Sequence, residues 1–319
     1  MLTTSLKDGT PLIAKAFSDG VKEYQRFARE DHLSTQCDST KAIFDAAPPK
    51  TARRMKRSQH TGAWLTATPH TLNGTVLSAE AFRDNLRLRY GLTPLHLPNR
   101  CDGCSDRFTV EHAMSCRKGG LINQRHDDVL GEWQLLCSEA LKPTAVSDEP
   151  HIPTYQPAST SPASQGNTPP TPVLRGDMGV HGFWKKGTAA IFDVRITDTD
   201  APSHQSCDPR AVLKTCEKKK KDKYGDACRQ AHRHFTPLVY SIDGLEGGEA
   251  KAARRQLATK LSAKWNRQYS QVCGLVRARI ALALARATSN CLRGTRDHRL
   301  KTSNSLEWIS NSGVRVFAF

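Results

Sequence analysis

Cys101, Cys104, His112 and Cys116 stand in the order Cys-x2-Cys-x7-His-x3-Cys. Three thiols and an imidazole are the donor set of a tetrahedral structural zinc site. The Cys-x2-Cys turn supplies two ligands from one tight loop, with Gly103 giving that turn its freedom. His112 and Cys116 are four apart and can share one face of a short helix. Zinc here would couple metal binding to folding. It need not touch a ligand at all, although Arg107, Arg117, Lys118 and Arg125 lie nearby. The plainer alternative is a group of buried thiols without metal.

A second set of reactive residues follows. Fifteen residues separate Asp177 from Asp193, with Gly182 and Gly187 between them, a span that suits a hairpin. Asp193 interrupts the apolar run IFDVRI, and a carboxylate among Ile191, Phe192, Val194 and Ile196 is costly unless paired or metal-bound. Two carboxylates at adjacent strand ends can hold Mg²⁺, which prefers oxygen ligands and keeps several waters. Such an ion activates water and stabilises charge developing on a phosphate. Nucleases of the PD-(D/E)xK type work this way, with a lysine two positions beyond the second acid. Here that position is Arg195, which stays charged and can clamp a phosphate but cannot act as a base. The missing amine can come from the next helix, where Lys220 and Tyr224 share a face at i, i+4 and Lys223 is adjacent. Taken separately, two aspartates at this spacing are a weak signal, and a single one at a strand end is more often a turn or salt-bridge residue. The run Lys218–Lys221 reads equally as a solvated face or a localisation signal.

Hydrophobic periodicity supplies the elements that must position these groups. A helix is expected over Ser78–Tyr90, with Ser78 as N-cap and Gly91 as stop. Another covers His126–Leu141, where Val129, Trp133, Leu136 and Cys137 keep helical spacing. Strands are expected at 188–197 and at Thr236–Ile242, with the lysine-rich helix 210–231 between them and helices over 248–264 and 269–291 behind. The Pro/Ser/Thr-rich stretch PTYQPASTSPASQGNTPPTP, residues 153–172, reads as a flexible insertion. Residues 1–60 are polar and poorly periodic, carry Arg53, Arg54, Lys56 and Arg57, and read as a disordered basic arm. The organisation expected is a helical segment at 61–100, the knuckle at 101–125, a core at 126–245, a basic helical part at 246–300 and a tail at 301–319. The fold class is α/β, a small mixed sheet flanked by helices.

The chain has 319 residues, with 47 Lys and Arg against 31 Asp and Glu, a net charge of +16. Residues 251–300 hold twelve Lys and Arg against one acid, Asp297. That balance fits a polyanion: DNA first, RNA second. Of the ten cysteines, seven are scattered singly, which reads as a reducing compartment with one metal site rather than a disulfide framework. No run reaches the ~18 apolar residues of a membrane span. The first residues lack the apolar stretch of a secretory signal. Neither a membrane nor a small-molecule substrate is expected, and the sequence does not specify oligomeric state.

In order along the chain, LRLRYG, CDGCSDRFTVEHAMSC, RHDDVLGEW, RGD, IFDVRITD and KKDKY together resemble the C-terminal part of non-LTR retrotransposon proteins that carry a restriction-like endonuclease after the reverse transcriptase. The resemblance covers roughly residues 80–245 and continues more weakly to 295. In that family a Cys-Cys-His-Cys knuckle precedes an Arg-His pair, here Arg125-His126, and a restriction-endonuclease-like core follows. It implies a structural zinc on Cys101, Cys104, His112 and Cys116, and a Mg²⁺-dependent site on Asp177 and Asp193 completed by Lys220, Lys223 and Tyr224. Glu132 and Glu149 are weaker accessory acids. The chain departs from the family in having Gly176 where proline is frequent, a last knuckle gap of three where four is commoner, and the insertion at 153–172. No polymerase motif is present, so the chain reads as a fragment or standalone descendant, acting in the nucleus as a DNA endonuclease that nicks chromosomal targets. The alternative is a domesticated, catalytically inactive nucleic-acid-binding protein. A purely structural zinc protein would explain the knuckle but not the charge.

Overall fold

A computed structural model describes residues 38, 41–153 and 174–297. Most of the expected arm, the insertion beyond Pro153 and the tail lie outside the described residues. The chain divides into two units, residues 1–55 and 56–319. Of the first, the described residues form helical turns at 41–46 and the beginning of α1 (Pro49–Thr61). The expected arm over 1–60 therefore ends in helix. The basic cluster that suggested a solvated arm is long-stemmed and helix-compatible.

The second unit runs on through α2 (Ala79–Arg89), α3 (Val110–Ser115) and α4 (Leu121–Ala140) into β1 (Val146–Asp148), β2 (His151–Ile152), β3 (Leu174–Arg175), β4 (Met178–His181) and β5 (Ala189–Thr197). Then come α5 (Pro209–Gln230), β6 (His234–Ser241), α6 (Gly248–Trp265) and α7 (Tyr269–Arg293). The caps are chemical. Ser78 accepts from the Ala81 amide at the start of α2, Thr109 from His112 at α3, and Asp208 from Ala211 at α5. Helix α4 starts five residues earlier than its apolar pattern suggests, because Gly119 and Gly120, at φ 71° and 74°, turn the chain directly into it.

Four strands pair in the order β1-β4-β5-β6, antiparallel except for the parallel pair β5–β6, which α5 connects. The sheet is thus small, mixed and flanked by helices, as the pattern implied. Pro237 sits within β6 opposite Asp193. It is tolerated because β6 is the edge strand and one side of it needs no ladder donor.

Alternation along β5 sends its two sets of side chains to two layers. Ala190, Phe192 and Val194 enter the main core with Val129, Trp133, Leu136 and Cys137 of α4, Leu257 and Leu261 of α6, and Val276 of α7. Ile191 packs instead with Tyr224 and Cys228 of α5. The period places Asp193 on that second face. Trp133 donates its indole N–H to the Tyr240 hydroxyl at 3.2 Å, satisfying the two polar atoms that the core swallows.

Arginines staple the layers. Arg279 on α7 reaches Glu132 (2.6 Å) and Glu139 (3.1 Å) on α4. Arg293 pairs with Asp84 at 2.7 Å, Arg254 with Glu246 at 2.6 Å, and Arg57 with Asp200 (2.5 Å) and Asp243 (2.7 Å). Arg286 donates to the Gly74 and Val76 carbonyls. The basic stretch 251–300 is therefore not one free cationic surface, because a large share of its arginines hold the fold together. Removing one partner from a buried pair strands the other charge, at about 3 kcal/mol or more. Arg279→Met is expected to lower the unfolding free energy by about that amount, read from urea melts. A loss no greater than that of an exposed lysine would show that the α4–α7 contact does not need the pair.

Candidate functional site

Cys101, Cys104, His112 and Cys116 converge. Each offers one ligand atom, and the four atoms lie within 4.8 Å of one another. Cys116 Sγ is 3.9 Å from both Cys101 Sγ and Cys104 Sγ, and Cys104 Sγ is 3.3 Å from His112 Nε2. A tetrahedral ion with ~2.3 Å bonds to sulfur and ~2.0 Å to nitrogen would place sulfurs roughly 3.8 Å apart and sulfur and nitrogen about 3.5 Å apart. The cluster can hold a metal, and its dimensions are consistent with zinc. Burial pushes the Cys101 thiol up, but the Gly103 and Cys104 amides that point at its sulfur, together with His112, bring it down to about 7. Those amides favour the thiolate that a metal requires.

Gly103 is needed for space rather than for backbone freedom. A Cβ there would stand 2.7 Å from Arg296 Cβ. Gly119, at φ 71°, is pressed against the same residue. Arg296 is anchored in turn by Nη2 bonds to the Ala113 and Cys291 carbonyls, at 3.1 and 2.6 Å, and lies over the Phe108 ring. Asp102 accepts from the Arg296 amide and the Thr295 hydroxyl, both at 2.7 Å. The cluster is thus clamped to the end of α7.

The acidic pair forms a second centre. Asp177 lies just before β4, where its amide donates to the Phe192 carbonyl at 2.9 Å. Its Oδ2 accepts from the Val194 amide at 2.6 Å, which ties its carboxylate beside Asp193. Asp193 is 2% exposed, and Lys220 Nζ lies 2.5 Å from its Oδ2. Lys223 Nζ donates to the Tyr224 hydroxyl at 2.8 Å. Both lysines stand against the Tyr224 ring, at 5.8 and 4.5 Å from its centroid. Asp177, Asp193, Lys220, Lys223 and Tyr224 are therefore brought together, by a hairpin and one helix face.

The carboxylates titrate in opposite directions. Burial, then the neighbouring charge of Asp177, raise Asp193 and outweigh Lys220 and Tyr224. Burial also pushes Asp177 up, but the hydrogen bonds from His126 and the Val194 amide overcome it and hold Asp177 low. His126 Nε2 is 2.9 Å from Asp177 Oδ2, and its Nδ1 is 2.9 Å from Asp127 Oδ1. The bond to Asp177 raises the imidazole to about 9, against the effect of burial.

His126 is the residue that sequence reasoning left without a role. The Arg-His pair was visible, but the contact with Asp177 spans 51 positions and no local spacing reports it. Its neighbour Arg125 turns inward, with Nη1 3.5 Å from Met114 Sδ. Glu132, considered as an accessory acid, is instead the buried partner of Arg279. Glu149 touches the site only through its backbone, donating its amide to the Asp177 carbonyl, while its exposed carboxylate meets Arg175 at 3.4 Å. Arg195 shares the Asp193 face but turns its Nε to Thr197 Oγ1 at 3.3 Å. The cluster of three or more metal-ligating side chains among the described residues is the Cys/His group, so the carboxylates bring no third convergent side-chain ligand.

The His126–Asp177 bond has a calculable pH window. A raised imidazole pKa contributes stability that is complete below the unfolded value, ~6.5, and is lost as pH rises through about 9. In chelator-treated protein, the melting-temperature gap between wild type and His126→Gln is expected to be widest near pH 6 and to close above pH ~9.5. A gap that stayed constant with pH would mean that the pair is not ionised. No protein-family model and no curated protein matches the chain.

Proposed function

We propose that the protein is a retrotransposon-derived, nuclear DNA-binding protein whose Asp177–Asp193–Lys220 site is a Mg²⁺-dependent, restriction-like endonuclease site that nicks target DNA. The observation that carries this reading is the Lys220–Asp193 contact at 2.5 Å, made on the strand whose next amide binds Asp177. Two acids and a lysine are the minimal set for metal-assisted phosphodiester hydrolysis, and here the lysine comes from α5 instead of from position 195. The element order α4-β1-β4-β5-α5-β6, with a mixed sheet, supports a core of the restriction type. Asp177 and Asp193 would hold Mg²⁺, which keeps waters and takes one or two carboxylates plus substrate oxygens. The bound ion supplies an activated water and charge stabilisation at the phosphate. Lys220 is the counter-ion of Asp193, and its amine would be placed to face a phosphate held there. The Tyr224 ring lies beside that amine, and Lys223 donates to the Tyr224 hydroxyl.

In the same reading, Cys101, Cys104, His112 and Cys116 form a Cys-Cys-His-Cys knuckle around a structural zinc. Protein purified without added metal is expected to carry about one equivalent of zinc. Cys104→Ser should lose it and lower the melting temperature. Unchanged zinc content in that variant would exclude the assignment.

A non-catalytic nucleic-acid-binding protein is the second reading. It is favoured by one feature: each carboxylate already has a cation, His126 on Asp177 and Lys220 on Asp193. Plasmid nicking separates the two. With Mg²⁺, wild type should convert supercoiled to open-circular DNA, and Asp193→Asn and Lys220→Met should each lose at least ~100-fold of that rate, the order of a metal or acid–base contribution, while still retarding the same DNA. Retardation without nicking by wild type would leave the binding reading alone.

A further inference from the structure

Asp177 is tied to the rest of the site through one oxygen. Its Oδ2 accepts from two donors, the Val194 amide at 2.6 Å and His126 Nε2 at 2.9 Å. A carboxylate oxygen offers about two lone-pair directions, so Oδ2 is full. Oδ1 accepts no hydrogen bond among the described residues. The side chain is 25% exposed, so solvent and ions reach it. One donor on Oδ2 would leave the carboxylate free to turn about that bond. Two donors from different elements, β5 and α4, define its plane and hence the aim of Oδ1.

The second donor is itself well placed. His126 lies in the second turn of α4. Val129 and Trp133, three and seven positions further along the same helix face, are fully buried in the main core, which turns that face toward the sheet. The other ring nitrogen, Nδ1, is 2.9 Å from Asp127 Oδ1. An ionised carboxylate can only accept, so each imidazole nitrogen donates to one. The imidazole acts on Asp177 in two ways, as a charge and as a directional donor. Asp127 opposes the charge from behind, and solvent screens it, since the His126 side chain is 31% exposed. The directional bond keeps its effect on where the Asp177 oxygens point.

We propose that His126 is a positioning residue of the acid site: it holds Asp177 by Oδ2 so that Oδ1 is presented to a divalent ion, and Asp127 steadies the imidazole from behind. The inference rests on the metal-site reading above and adds to it a residue that acts only through Asp177. Partners of this kind, one bond behind a metal ligand, set ligand orientation and hence metal affinity.

The test titrates the full chain with Mn²⁺, which takes the same oxygen ligands as Mg²⁺, and follows the free-ion EPR signal in the absence of DNA. Wild type should bind an ion that Asp193→Asn abolishes. His126→Leu fills the space without a donor and should bind that ion ~10–100-fold more weakly. His126→Gln keeps an N–H within reach of Oδ2 but carries no charge, and should recover most of the loss. His126→Asn is equally polar but one methylene shorter, so it withdraws the donor and should bind as weakly as His126→Leu. The glutamine–asparagine pair keeps the comparison valid even where leucine impairs folding, which urea melts of each variant report. Charge alone gives the opposite order, because removing a cation beside a ligand carboxylate tightens metal binding in every variant. Variants without the donor that bind Mn²⁺ as tightly as wild type, or more tightly, overturn the inference while leaving the metal-site reading intact. Glutamine no better than asparagine overturns it too. Wild type with no Asp193-dependent Mn²⁺ binding overturns both.

Discussion

A carboxylate buried at the middle of β5 cannot stand alone, and much of the second unit is arranged around that fact. Asp193 has Phe192 and Val194 on either side pointing into the main core, so its own side chain is committed to the opposite face. Helix α5 covers that face with an unusual mixture. Tyr224 and Cys228 pack on Ile191, Leu213 and Cys216 pack on Val239, and Lys220 reaches in between them. The apolar clusters on this side are small and separated, and the polar centre occupies the gap between them. An aliphatic residue at 193 would join those clusters into a continuous core. The sequence keeps a carboxylate there instead, at a desolvation cost that the nearby Lys220 amine offsets.

What the sequence disclosed follows from which forces act locally. Helix caps, the β5 alternation and the Cys/His spacing are local patterns, and Ser78, the 189–197 strand and the four ligands can all be read directly. The apolar positions Val129, Trp133, Leu136 and Cys137 report a buried helix face because burial repeats with the helical period. Contacts between charges carry no such period. Nothing near Arg279 points to Glu132 and Glu139, nothing near His126 points to Asp177, and an arginine count gives no hint of which guanidinium groups point inward. Gly103 shows the same limit at a single residue. Its position in a turn suggested backbone freedom, but the actual constraint is a distant arginine that leaves no room for a Cβ.

The two centres share one piece of backbone. Cys116, the last ligand of the Cys/His cluster, is the C-cap of α3, and only the turn 117–120 separates it from the first residue of α4. His126 lies in the second turn of that helix. Leu121 packs in the same apolar group as Cys101 and Cys116, and the Cys291 thiol donates to its carbonyl. The start of α4 is therefore fixed from the cluster side by Gly119, Leu121 and Arg296, and from the sheet side by Trp133. The imidazole reaches Asp177 from a helix whose register is set by its neighbours at both ends.

Net charge is the least specific property of the chain, and the structure divides it into unlike parts. Arg57, Arg254, Arg279 and Arg293 are spent on internal carboxylates and contribute no field that a ligand would meet at full strength. Arg296 is buried between the Cys/His cluster and α7. The cations left to solvent are spread over many elements, among them Arg83 of α2, Arg117 after α3, Lys142 after α4, Lys186 between β4 and β5, Lys219 of α5 and Arg255 of α6. The net charge therefore marks no single face of the sheet. The field at any one place depends on which guanidinium groups the internal carboxylates have already neutralised.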